Sequence, residues 1–237
     1  MCRRVSASYN GIDRSAEEGE KSVNRKWKTY LPMLWILMIP ALNIFYGILN
    51  QAHTPVYSLM TDLDAAIPFM PIFIIPYLIW YPFIIIMLFL FCARDRSVYY
   101  RTLLSQCIGL IACYITFFLF QTTVDRPLIM EAGILDWLVS LVYSTDNPYN
   151  CFPSIHVLTS YLMIKGAVSS AGFSNRERTA VKICAWFIIG STLFVKQHVL
   201  LDVAGAIAVV EVLWYWVGRG FHGQRSAPTA EFRDRSG

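Results

Sequence analysis

The sequence predicts an all-α fold: a polytopic membrane protein built as a bundle of six transmembrane helices, with both termini in the cytoplasm. Composition is the first reason. The chain of 237 residues is 56% apolar and only 15% charged, with a mean hydropathy of +0.46, whereas soluble domains carry about 25% charged residues. The second reason is run length. Residues 30–49, 67–92 and 103–120 carry no charge at all, and each reaches or approaches the ~20 residues needed to cross ~30 Å of hydrocarbon. Residues 155–170, 180–195 and 199–217 are apolar with isolated charges and complete the six. The third reason is the placement of basic residues. Threading the chain six times puts eighteen of its 20 Lys and Arg on one side, which marks that side as cytoplasmic. Only Arg126 and Lys196 remain on the outer face.

Taken in order, residues 1–28 are polar and mixed in charge and read as a disordered cytoplasmic segment. Residues 29–219 form the membrane domain, and 220–237 read as a disordered cytoplasmic tail. The second span contains Pro68, Pro71, Pro76 and Pro82, which predicts a kink or an interfacial start. Residues 134–144, "ILDWLVSLVYS", space apolar residues at helical intervals around one Asp. They read as an interfacial helix roofing the outer face or as an ordinary outer loop. Ala204, Gly205, Ala206 and Ala208 allow close helix approach in the last span. Lys165 stands nine residues after His156, and Glu211 nine after Asp202. On two helices running the same way, both charges fall ~13 Å below the outer face, which predicts a Lys165–Glu211 pair in place of separate snorkelling. The cysteines form no CxxC pair, and Cys151 alone is expected in an outward loop. The net charge of +4 is accounted for by threading and by anionic headgroups, so no nucleic-acid partner is implied.

Three short stretches could carry chemistry, all at the outer face. "TTVDRPLI" brings Arg126, whose planar fork suits a phosphate. "FPSIHV" brings Ser154 and His156 to the head of an apolar run, where Pro-Ser is also ordinary capping grammar and a helix N-terminus offers free N–H groups to an anion. "STLFVKQHVLLDV" brings Ser191, Lys196, His198 and Asp202. His198 and Asp202 are four apart, so a helix containing both would let the carboxylate accept from the imidazole and leave the other ring nitrogen as a nucleophile or base. A structural pair at a helix start is the plainer reading of that spacing.

In this order, Arg-Pro, Pro-Ser-x-His and Ser-x6-His-x3-Asp, the residues from about Thr122 to Ala208 resemble the type 2 phosphatidic acid phosphatase family. The match has two departures: Leu119 stands where the family has a Lys, and Thr192 where it has an Arg. Lacking these cations, the chain is similar to the subgroup of inositol phosphorylceramide and sphingomyelin synthases. The resemblance implies His198 as nucleophile, Asp202 as its orienter and His156 as general acid. It also implies Arg126, Ser154 and Ser191 as phosphoryl-binding residues, with Lys196 as a partly compensating cation. The substrate would be a lipid phosphate entering sideways from the surrounding membrane lipids, with a phosphohistidine intermediate and neither metal nor cofactor. The acceptor, water or a lipid alcohol, stays open. So does a non-enzymatic reading, in which His156, His198 and Asp202 bind a metal or relay protons in a transporter.

Overall fold

A computed structural model describes residues 31–52, 55–130 and 133–225. His53, like residues 1–30 and 226–237, lies outside the described residues. The chain divides into two units. Of the first, a 3-10 helix at Leu31–Leu37 is described. The second begins at Met38 and contains α1 (Met38–Leu49), α2 (Asp62–Ala66), α3 (Ile74–Arg94), α4 (Arg96–Leu119), α5 (Ile134–Thr145), α6 (Ile155–Ser169), α7 (Asn175–Phe194) and α8 (Leu200–Arg225). Two short strands, β1 (Tyr57–Ser58) and β2 (Thr122–Thr123), pair in parallel.

The fold is helical, and four helical stretches are long and apolar enough to cross a membrane: Leu31–Leu49, Pro71–Arg94, Arg96–Leu119 and Leu200–Gly220. α6 falls short of that length with 15 residues. α7 has the length, but Arg176, Glu177, Arg178 and Lys182 charge its first two turns. The second apolar stretch begins with a 3-10 turn at Pro71–Phe73 and continues as α3 with Pro82 inside it. α8 runs on to Arg225, so the segment containing His222, expected in the tail, is helical.

Helix ends follow their caps. The Asp95 carboxylate accepts from Val98 N–H and starts α4 at Arg96, well before the uncharged run begins. Ser174 and Glu177 form a capping box at the head of α7. There Arg94 reaches across from the end of α3 to bond Glu177 at 2.6 Å. Ser154 caps α6, its hydroxyl accepting from Val157 N–H.

α6 is the hub of the bundle and packs against α3, α4, α7 and α8. Much of its length is buried, with Val157, Leu158, Leu162, Met163, Ile164 and Ala167 packed inside, as the central helix of a bundle requires. Close approach needs Gly166, where a Cβ would stand 2.7 Å from the Phe91 ring and 3.0 Å from Thr102 Oγ1. α1 packs chiefly along α4, where Tyr114 OH donates to Asn43 Oδ1 at 2.9 Å.

The expected pair between α6 and α8 is present. Lys165 Nζ donates to both carboxylate oxygens of Glu211, at 3.0 and 2.8 Å, and Tyr161 OH donates to the same group at 2.6 Å. Lys165→Met and Glu211→Gln in a double-mutant cycle are expected to show a coupling of about 0.5–1.5 kcal/mol in detergent unfolding. Additive single effects would mean that the two charges act independently.

Candidate active site

The N-terminal ends of α3 and α6, with residues of α1 and α5, meet Arg126, residues 146–151 and the turn at 197–198 around a cavity of about 260 Å³. Its walls include Arg126, His156 and His198 together with Asp146, Asn150 and Gln197. The two imidazoles, 42 residues apart in the chain, have ring centroids 5.8 Å apart.

His198 is placed by a turn in the backbone. α7 ends at Phe194, and Lys196 adopts φ 52°, a conformation uncommon outside glycine. The carbonyl of Thr192 then accepts from both Gln197 N–H and His198 N–H, at 2.9 and 3.2 Å. α8 begins only at Leu200, so His198 and Asp202 do not lie along one helical face as the spacing suggested. Asp202 reaches back from the first turn of α8. Its Oδ2 accepts from Val199 N–H at 2.9 Å and lies 3.2 Å from His198 Nδ1. One carboxylate oxygen therefore caps the helix and orients the imidazole. Asp202 is fully buried, and its Oδ1 has no partner among the described residues.

His156 sits one residue inside α6, between Trp80 and Tyr77 of α3, at centroid distances of 4.3 and 4.7 Å. Trp80 is itself fixed, its indole N–H donating to Thr159 Oγ1 at 2.8 Å. Arg126 lies over the Tyr143 ring at 4.5 Å, donates to the Asp146 carbonyl at 2.6 Å and donates to Gln197 Oε1 at 2.6 Å. Tyr143 belongs to α5, so residues 134–144, read as an interfacial helix or an outer loop, are helical. Its hydroxyl donates to the Val195 carbonyl at 2.8 Å, and burial, opposed by Arg126, raises its pKa to about 12. α5 is held on α3 by the apolar cluster of Ile74, Tyr77, Val139 and Val195.

Three expected binding residues are engaged elsewhere. The Ser154 hydroxyl is the α6 cap. The Ser191 hydroxyl donates to the Ile188 carbonyl at 2.6 Å inside α7. Neither lines the cavity. Lys196 is turned away by its backbone conformation and donates to the carbonyls of Asp64 and Ile67, at 2.9 and 2.5 Å. Leu119, which stands where the resembled family would have a Lys, is 73% exposed, and Thr192 is fully buried with its hydroxyl on Ile189 O. Gly205 does serve close approach: a Cβ there would collide with the ring of Phe152, beside Pro153.

The cavity also holds residues that the sequence did not single out. Asp146 Oδ1 accepts from Tyr46 OH at 2.6 Å and from Asn50 Nδ2 at 2.7 Å, which ties α1 to the loop before α6. Asn150 Oδ1 accepts from Gln121 Nε2 at 3.0 Å. With the oxygens of Gln197 and Asn150 fixed by their donors, both amide nitrogens are free. Among the described residues, Gln197 Nε2, Asn150 Nδ2, Arg126 Nε and His156 Nε2 are buried without partners, and all four residues line this one cavity. Buried polar groups without partners are rare, and the three certain donors among these, on Arg126, Gln197 and Asn150, belong to residues that line the same cavity. Gln197 adjoins His198 and Asn150 lies in "NPYN", so proximity to the motifs was their only signal. Tyr77 and Trp80 had none beyond a generally aromatic span.

Asp64 of α2 braces the site from outside. Its carboxylate accepts from Thr61 Oγ1 at 2.5 Å, Thr61 N–H at 2.9 Å and Leu200 N–H at 2.7 Å, the last at the head of α8. Burial alone would raise its pKa. The bonds from Thr61 and Leu200, together with Lys196, outweigh this and hold the carboxyl below its ordinary 3.8. A depressed carboxylate contributes stability that is present above the ordinary value and lost as pH falls through the lower one. Asp64→Ala is expected to cost about 1–3 kcal/mol at neutral pH, and the gap to wild type should close under acid. A gap unchanged down to the acid limit would remove the electrostatic explanation.

No protein-family model, curated protein or solved structure matches the chain.

Proposed function

We propose that the chain is an integral membrane lipid phosphate phosphatase working through a phosphohistidine intermediate. On this reading it threads the bilayer six times, with both termini cytoplasmic and the cavity at the extracytoplasmic face. The single observation that carries the proposal is the meeting of two histidines and one arginine in a cavity rimmed by unpartnered donors.

His198, with Nδ1–H directed at Asp202, presents the Nε2 lone pair to phosphorus. The N–P bond forms as the P–O bond to the lipid alcohol breaks, and His156 gives its proton to the departing oxygen. Tyr77 and Trp80 pack against the donating ring and fix its position. Arg126, Gln197 and Asn150 stabilise the charge spread over the phosphoryl oxygens. Water, deprotonated by His156, then attacks phosphorus and releases phosphate. If a lipid alcohol takes the place of water, the same steps make the protein a phosphotransferase. The absence of the family's second and third cations favours keeping this alternative, because a site with one guanidinium suits a singly charged diester better than a dianion.

The test uses purified protein, EDTA and a panel of lipid phosphates, with and without diacylglycerol. Phosphate release supports the hydrolase, and headgroup transfer to diacylglycerol supports the transferase. A protein that turns over neither substrate class would overturn both.

A further inference from the structure

We propose that Cys151, His198 and Asp202 form a binding site for a thiophilic divalent cation, zinc above all, and that the bound ion switches the catalytic imidazole off. The binding half stands on geometry alone, while the inhibitory half rests on the function proposed above.

One ligand atom from each of the three residues lies within 4.8 Å of the other two. Cys151 is 2% exposed, His198 9% and Asp202 0%. Tetrahedral zinc with bonds of about 2.0–2.3 Å sets its ligand atoms about 3.3–3.8 Å apart. The 3.2 Å between His198 Nδ1 and Asp202 Oδ2 already approaches that edge, and a small side-chain rotation brings in the thiol. The Cys151 sulfhydryl makes only a 3.7 Å contact to the Pro148 carbonyl, so little holds it back. Asp202 Oδ1, buried and unpartnered, is the independent sign of a missing ligand. Cys151 and His198 both line the cavity, which supplies an entry path and a water for the fourth position.

Charge and ligand type select the ion. A thiolate, a carboxylate and a divalent cation sum to zero, whereas Asp202 alone leaves a buried negative charge. A sulfur–nitrogen–oxygen set suits zinc and disfavours magnesium and calcium, which take oxygen. On binding, the thiol proton leaves to solvent. The metal takes the Nδ1 lone pair, and the imidazole proton moves to Nε2. The ring nitrogen that must attack phosphorus then carries a proton and has no lone pair to offer.

The experiment titrates the full-length protein in detergent with Co²⁺ and Zn²⁺. Wild type is expected to develop a near-ultraviolet thiolate-to-cobalt band that saturates at one equivalent and is displaced by Zn²⁺ but not by Mg²⁺. Cys151→Ser should lose the band and weaken affinity by at least the ~10–100-fold that losing even an outer-shell partner costs. Zn²⁺ should depress phosphate release by wild type at least tenfold and leave the variant near its own metal-free rate. Should the variant not fold, protection of Cys151 from alkylation by Zn²⁺ in wild type, read by mass spectrometry, replaces it. No thiolate band, equal affinity in the variant or no protection overturns the site. If wild type shows the band but turns over no phosphate ester in EDTA, the site stands and the enzymatic reading fails.

Discussion

Replacing His198 by alanine is expected to reduce phosphate release by more than about 10⁴-fold while leaving the protein folded. Among the described residues lining the cavity, this imidazole alone has a ring nitrogen held by a carboxylate, and on the proposed mechanism its loss removes both the attacking atom and the covalent intermediate. The fold should survive because the turn that carries residue 198 is held by backbone bonds to the Thr192 carbonyl, which alanine retains. Acid-labile phosphate on the protein, trapped after brief exposure to labelled substrate, should be present in wild type and absent in His198→Ala. Near-normal turnover by the variant would end the nucleophile assignment. Labelling of a different residue in wild type would redirect it.

Asp202→Asn is expected to be nearly as severe, on the order of 10⁴-fold, by a different route. The native Oδ2 accepts from both Val199 N–H and His198 Nδ1. An amide can turn its oxygen to Val199 and its NH₂ toward the imidazole, which then presents a lone pair at Nδ1 and carries its proton on Nε2. On the proposed mechanism the wrong nitrogen would then face phosphorus. Because Asp202 is fully buried, an additional stability loss of about 1–3 kcal/mol is expected. The two contributions separate in the pH profile, since a purely structural defect would scale the rate without reshaping its dependence on pH. An unaltered rate in a folded Asp202→Asn protein would show that the carboxylate only caps α8.

The parts of the site that were legible are those fixed by short-range grammar. His156 follows its cap by two residues, and His198 precedes Asp202 by four, so each local arrangement is encoded within one turn. Arg126 was legible because the expected six-span threading leaves it as one of two basic residues on the outer side. Lys196, the other, had the same signal and is engaged elsewhere, because backbone conformation at a single residue decides where a side chain points and charge counting cannot see it. Ser154 illustrates the same limit: a hydroxyl at a helix head can cap or bind, and capping takes it here. Tyr77 and Trp80 were invisible because an aromatic residue in an apolar span has the same composition whether it packs against lipid or against an imidazole. The Lys165–Glu211 pair was legible because two helices of equal direction convert sequence spacing directly into depth.

The shortness of α6 has a further consequence. Fifteen residues at ~1.5 Å each cover about 22 Å, some 8 Å less than the hydrocarbon of a bilayer. On the six-span reading, the chain leading into this helix must dip beneath the headgroup plane, where irregular backbone survives only if protein satisfies it. It is satisfied: Phe152 N–H donates to Thr122 Oγ1, and Ser154 N–H to the Asp202 carbonyl. The reacting phosphorus would therefore be drawn down into a polar pit sunk in the membrane while its acyl chains stay level with their neighbours. Such a protein would discriminate among headgroups by what fits the pit and remain largely indifferent to tail length.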